Sequence, residues 1–182
     1  MSVIKKIILL NLLLILISIN QVVSNNINIL FNNLQNAKNI KEAEILEKKI
    51  WDDWTKHPSS NYLTNKLENA TYSMNQQQYQ IALKLFTDII DEDPRWAEAW
   101  NKRATLYFLI GKYTESLKDI EQVLNIEPRH FGALSGRAQI YLSFNEYEKA
   151  IDDLQNAKAI YPLIKSGKSI ELIKKIIKDL QI

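Results

Sequence analysis

Three prolines constrain this chain more than any other feature. Pro94, Pro128 and Pro162 stand 34 residues apart, and the residues between them repeat at the same interval. Tyr79, Tyr113 and Tyr147 align, as do Ala82, Ser116 and Ala150, then Phe86, Ile120 and Leu154, then Ala70, Ala104 and Ala138. Small side chains recur where helices must approach closely, and large ones where the space between them must be filled. Proline closes each unit because it cannot continue a helix, while its fixed φ suits the start of the next one. Inside the units, "LIGKY" and "SFNEY" place Gly111 and Asn145 where a helix C-terminus needs a left-handed residue. Each unit reads as helix, tight turn, helix. Three of them predict an all-α chain, a short α-solenoid whose hairpins bury one another's apolar faces.

The pattern resembles the tetratricopeptide repeat (TPR), which implies a right-handed α-solenoid. Trp100, Ala104, Tyr107, Gly111, Tyr113, Ser116 and Pro128 occupy the bulky, small, aromatic and proline positions of that motif in residues 97–128. Residues 131–162 follow with Leu134 in place of the first aromatic. Residues 63–94 depart most, with Lys66 and Ser73 at aromatic positions. The structural residues implied are Trp100, Ala104, Tyr107, Gly111 and Tyr113, with Pro94, Pro128 and Pro162 closing the units of a region spanning 61–162. The stretch "WAEAWNKRATLYFLIGKYTESLKDIEQVLNIEPRHFGALSG" further resembles exported TPR proteins of alphaproteobacterial type, which implies a periplasmic location.

The N-terminus supports export on its own terms. Lys5 and Lys6 precede an apolar run, Ile7 to Ile19, and Val22 and Ser24 suit cleavage after Ser24. Residues 1–24 therefore read as a signal peptide. The run is short of the roughly 20 residues that cross a bilayer. The alternative is an uncleaved anchor in the inner membrane, facing the periplasm, and the membrane is expected as a partner only in that case. Without Lys5 and Lys6, 21 basic residues face 21 acidic ones, so no phosphate-binding surface and no nucleic-acid partner are expected.

Chemistry is sparse. There is no Cys, and the two histidines, His57 and His130, lack metal-ligand spacing. No catalytic residue, metal site or cofactor is expected, and Asp91 to Asp93 read as a solvated turn. Arg103 with Asp119 and Arg137 with Asp153 share repeat positions, so each Arg either pairs with the Asp of its own hairpin or stands as an independent surface charge.

The flanks read as lids. Residues 25–58 form an N-terminal helical segment with the stripe Ala43, Leu46, Ile50 and Trp54, preceded by a shorter helix carrying Ile27, Leu30, Phe31 and Leu34. Residues 163–182 read as a capping helix begun by Ser169, with the stripe Ile170, Ile173, Ile177 and Leu180, in preference to a membrane-surface anchor.

In the resembling repeats the first helix of each hairpin lines a groove, which implies Asn101, Thr105, Phe108, Leu109, Ser135, Gln139 and Leu142 as the protein-binding residues. Their amides can pair with a peptide backbone, and Phe108 and Leu142 can anchor apolar side chains. At the positions that grip an acidic chain terminus in chaperone-binding relatives stand Leu67, Thr71, Lys102, Gly132 and Gly136, so that clamp is absent. The function implied is a non-catalytic adaptor that binds an extended segment of another protein or peptide. The alternative is a self-associating or membrane-tethered structural subunit of an envelope complex, its groove filled by residues 25–58.

Overall fold

The computed structural model describes residues 26–180, so the expected signal peptide lies outside the described residues. Every regular element among them is helical. After α1 (residues 26–35) come α2 (Ile40–Trp54), α3 (Asn61–Asn75), α4 (Tyr79–Glu92), α5 (Ala97–Leu109) and α6 (Tyr113–Ile126). Then follow α7 (Phe131–Ser143), α8 (Tyr147–Ile160), a 3-10 turn (Lys165–Lys168) and α9 (Ser169–Leu180).

Helices α3–α4, α5–α6 and α7–α8 pack as three hairpins. Their turns share one solution. Gln77, Gly111 and Asn145 adopt φ values of 60°, 74° and 60°. The next residue, Gln78, Lys112 or Glu146, then donates its N–H back to the carbonyl of Ser73, Tyr107 or Tyr141 at 2.8–2.9 Å. That bond satisfies a carbonyl otherwise orphaned at the helix end. Gln77 holds this conformation without glycine's freedom, at a cost of roughly 1–2 kcal/mol. After each second helix, the carbonyl of Asp93, Glu127 or Tyr161 accepts from the N–H three residues on, with Pro94, Pro128 or Pro162 inside the turn.

The small positions permit the close approach expected of them. Ala70, Ala82, Ala104, Ser116, Ala138 and Ala150 are all buried, and Ser116 Oγ donates to the Ala104 carbonyl at 2.8 Å across its hairpin. Trp100 packs between the first and second hairpins and donates Nε1–H to the Pro94 carbonyl at 2.9 Å. Tyr107 lies under the Arg103 guanidinium, and Tyr113 packs against Phe108.

Both Arg–Asp pairs form within their own hairpins. Arg103 grips Asp119 with two bonds of 2.8 and 2.9 Å, and Arg137 grips Asp153 with two of 2.7 Å. Arg103 also donates to Thr87 Oγ1 of the preceding hairpin at 3.2 Å. Such forked bonds fix the rotation of one helix against its partner.

Two readings need correction. Asp93 is not a solvated turn residue: it accepts from the Arg95 N–H at 3.0 Å and faces the buried His57 ring nitrogen at 3.1 Å. Ser169 does not cap α9, because the chain enters that helix directly from the 3-10 turn. Of the predicted α9 stripe, Ile170 and Ile173 are buried and Ile177 packs partly, but Leu180 is exposed.

Candidate functional site

The first helices of the hairpins, α3, α5 and α7, line one face, and the starts of α5 and α7 are covered by α2. The predicted stripe Ala43, Leu46, Ile50 and Trp54 is buried there against Phe131, Leu134, Ala157 and Tyr161. Trp54 stacks on His130 with ring centroids 4.0 Å apart, and Trp51 meets His130 and Phe131 edge-on at 5.4 and 5.6 Å. A Cβ at Gly132 would lie 2.7 Å from the Trp51 ring. The missing side chain at 132 is therefore what admits Trp51.

Polar contacts fix the ends of this contact. Trp96 Nε1–H donates to the Trp54 carbonyl at 2.9 Å, the Tyr161 hydroxyl donates to Glu47 at 3.1 Å, and Lys165 pairs with Glu44 at 3.1 Å. Helix α1 runs back along α2. Its Asn28 accepts from Arg129 at 2.7 Å, while Gln35 donates to the Ala159 carbonyl at 3.1 Å.

Beneath the two tryptophans lies a closed polar node. His130 caps α7 by accepting the Ala133 N–H on Nδ1 at 3.0 Å, which leaves its proton on Nε2 to donate to Glu98 at 3.2 Å. Asn101 donates to the same carboxylate at 3.0 Å, and Lys102 Nζ lies 3.2 Å from its other oxygen as an ion pair. Burial pushes the Glu98 carboxyl up, but the His130 bond and the Lys102 charge outweigh it and hold the group below the ordinary carboxylate value. Asn101 is thus committed to the node and reaches the groove only at its edge.

The other half of the face is open. Between α5 and α7 lies a cleft of about 130 Å³, bordered by Asn101, Thr105, Phe108, Gly136 and Gln139 over a floor that includes Ala104 and Ala133. No charged side chain lines it. A Cβ at Gly136 would meet nothing within 4 Å, so this glycine leaves room in the cleft instead of admitting a neighbour. A second depression, of about 360 Å³, lies between α3 and α5 beside Thr71, Asn75 and Lys102.

Of the residues expected to bind, Thr105, Phe108 and Gln139 converge on the α5–α7 cleft, with Asn101 at its margin. Leu109 is exposed outside it. Ser135 bonds Ser166 at 2.8 Å, and Leu142 packs toward α9. Neither faces the cleft, because the turn and helix that close the third hairpin take up that side of α7. Sequence reasoning missed Trp51 and His130 as the centre of the α2 contact. The signal available was Trp51 itself, a large aromatic one residue off the main stripe. Among the described residues, no three His, Asp or Glu side chains group to hold a metal ion.

Residues 97–130 match the family model for the tetratricopeptide repeat. No curated protein sequence matches the chain. Among solved structures, the first TPR of Spaghetti (RPAP3), bound to the HSP90 peptide SRMEEVD, is similar with a TM-score of 0.62 at 19% identity, over 66% of this chain and 96% of that one. The Sgt2 TPR domain from Aspergillus fumigatus gives 0.62 at 16% identity, over 67% and 83%. The second TPR domain of human RPAP3, in complex with an HSP70 peptide, gives 0.56 at 22% identity, over 60% and 92%. The three hairpins, their shared turns and these likenesses give one conclusion: this chain carries a tetratricopeptide repeat at residues 97–130 and has the all-helical fold of TPR domains.

Proposed function

We propose that the protein is a non-catalytic adaptor of the bacterial periplasm that binds a short, extended and uncharged segment of another protein in the cleft between α5 and α7. The observation that carries this reading is the open cleft itself. It lies on the face that is lined by first helices, it is bordered by the amide of Gln139, the hydroxyl of Thr105 and the ring of Phe108, and it is widened by Gly136. The amide and hydroxyl can exchange hydrogen bonds with a peptide backbone, and the pocket has room for one aliphatic side chain.

The similar structures that hold chaperone peptides support a peptide partner in general. An acidic terminus is a poor fit here. Lys102 is already paired with Glu98, and the other clamp positions hold Leu67, Thr71, Gly132 and Gly136. With α2 over half the face, the partner segment is short, and an affinity in the micromolar range is expected.

Export rests on Lys5, Lys6 and the apolar run that follows, together with the resemblance to exported TPR proteins. Cell fractionation with an N-terminal sequencing read tests it, since recovery of uncleaved chain in the inner membrane would favour the tethered form. The binding reading is tested with photo-crosslinking side chains placed at Thr105 and Gln139 in the producing cell. A discrete adduct from both, lost when Gly136→Leu fills the cleft of a still-folded protein, is expected. Adducts that survive Gly136→Leu would move the contact away from the cleft.

A further inference from the structure

Helix α9 closes the array with one apolar stripe and leaves a second one uncovered. Ile170 and Ile173 are buried against Ala150 and Leu154, with Ile177 packing beside them. One step around the helix, Leu172, Ile176 and Leu180 follow at intervals of four residues. Leu172 is 61% exposed, Leu180 55%, and Ile176 half-buried. A lid needs only the first stripe.

The segment that carries the second stripe is basic. Residues 158–182 carry six Lys against Glu171 and Asp179, a net of +4, whereas residues 25–157 carry 15 basic and 19 acidic residues, a net of −4. Lys168 and Lys175 flank Leu172 and Ile176, are exposed, and form no ion pair among the described residues. Two acids share this flank: Asp179, between the lysines and Leu180, and Glu171, which pairs with Lys174. The helix is 12 residues long, about 18 Å at 1.5 Å per residue, and no helix among the described residues is long and apolar enough to span a bilayer.

We infer that α9 docks in the plane of an anionic lipid surface, its Leu172–Ile176–Leu180 stripe entering the acyl boundary and Lys168 and Lys175 reaching the headgroups. The stripe is a single helix edge, which suits a fluid surface, and the nearest depression, beside Lys158, Lys168 and Lys174, includes none of its three apolar residues. Lysine stems can lie along apolar area while their ammonium groups stay at headgroup level. Recognition of a carboxylate-bearing protein would favour arginine forks, and the chain has no Arg beyond Arg137. This inference is independent of the α5–α7 cleft.

The chain has no Cys, so Leu172→Cys carrying an environment-sensitive fluorophore reports on α9 alone in the full chain. The probes are phosphatidylcholine vesicles and the same vesicles containing phosphatidylglycerol. A blue shift with the anionic vesicles only, reversed by salt and absent from a label at Leu109→Cys, is expected. Each Lys near an anionic surface is worth about fivefold in affinity, so Lys168→Gln/Lys175→Gln should weaken binding by about tenfold or more with the melting temperature unchanged. No shift at position 172, an equal shift on neutral vesicles, or binding indifferent to the two lysines would overturn the inference. So would a concentration-dependent shift without vesicles that the same variants abolish, which would assign the stripe to a second copy of the chain.

Discussion

His130 carries three contacts at once: a cap for α7, a bond to Glu98 and a stacking platform for Trp54. Tyr161 ties the same contact at its other end. Burial, then the Glu47 carboxylate beside it, pushes the Tyr161 hydroxyl up to about 12 from an ordinary 10.0. The folded protein thus keeps a proton that the unfolded chain loses first. Stability from this contact is complete below pH 10 and declines as pH rises from 10 toward about 12. Absorbance titration should show one tyrosine ionising late, and Tyr161→Phe should remove that late step. The Arg137–Asp153 pair is a second test at this scale. Arg137→Met and Asp153→Asn should show a coupling of about 1–2 kcal/mol in a double-mutant cycle by chemical denaturation. Additive losses would mean that the fork does not fix the hairpin.

At the scale of the helix, two glycines in α7, one turn apart, do opposite work. Gly132 admits the Trp51 ring, while Gly136 faces open space. Gly136→Ala should therefore stabilise the protein, by up to about 1 kcal/mol, through helix propensity alone. Gly132→Ala gains the same propensity but pushes Trp51 aside, and a net loss of about 1–2 kcal/mol is expected from thermal melts. Neither role could be told from sequence. Both glycines sit at helix positions where the absence of a side chain has a cost, and only the neighbour decides what that cost obtains. Sequence was more informative where one geometry recurs, as at Gly111 and Asn145, whose left-handed turns follow from residue type and spacing. Gln77 takes the same conformation without the same signature, because the repeat's packing imposes it.

For the whole molecule, the three-hairpin array was legible because a 34-residue period, small residues at contacts and prolines at unit ends all require one another. The site was legible only in part. Thr105, Phe108 and Gln139 reach the open cleft, but Ser135 and Leu142 are taken by the chain's own C-terminal lid, and Asn101 by the Glu98 node. Repeat periodicity says which face is lined by first helices. It says nothing about which flanking segment will cover that face, since α1 and α2 lie outside the repeat. The central claim is that α2 lies across the starts of α5 and α7 and leaves the cleft beyond them free. It is tested most directly by zero-length carbodiimide cross-linking of the full chain followed by mass spectrometry. The Lys66–Glu92 pair within the first hairpin serves as the internal standard. A Glu44–Lys165 link in monomeric protein, at a yield comparable to that standard, is the expected result. Recovery of the Lys66–Glu92 link without the Glu44–Lys165 link would mean that α2 does not lie on this face, and the half-covered groove would have to be abandoned.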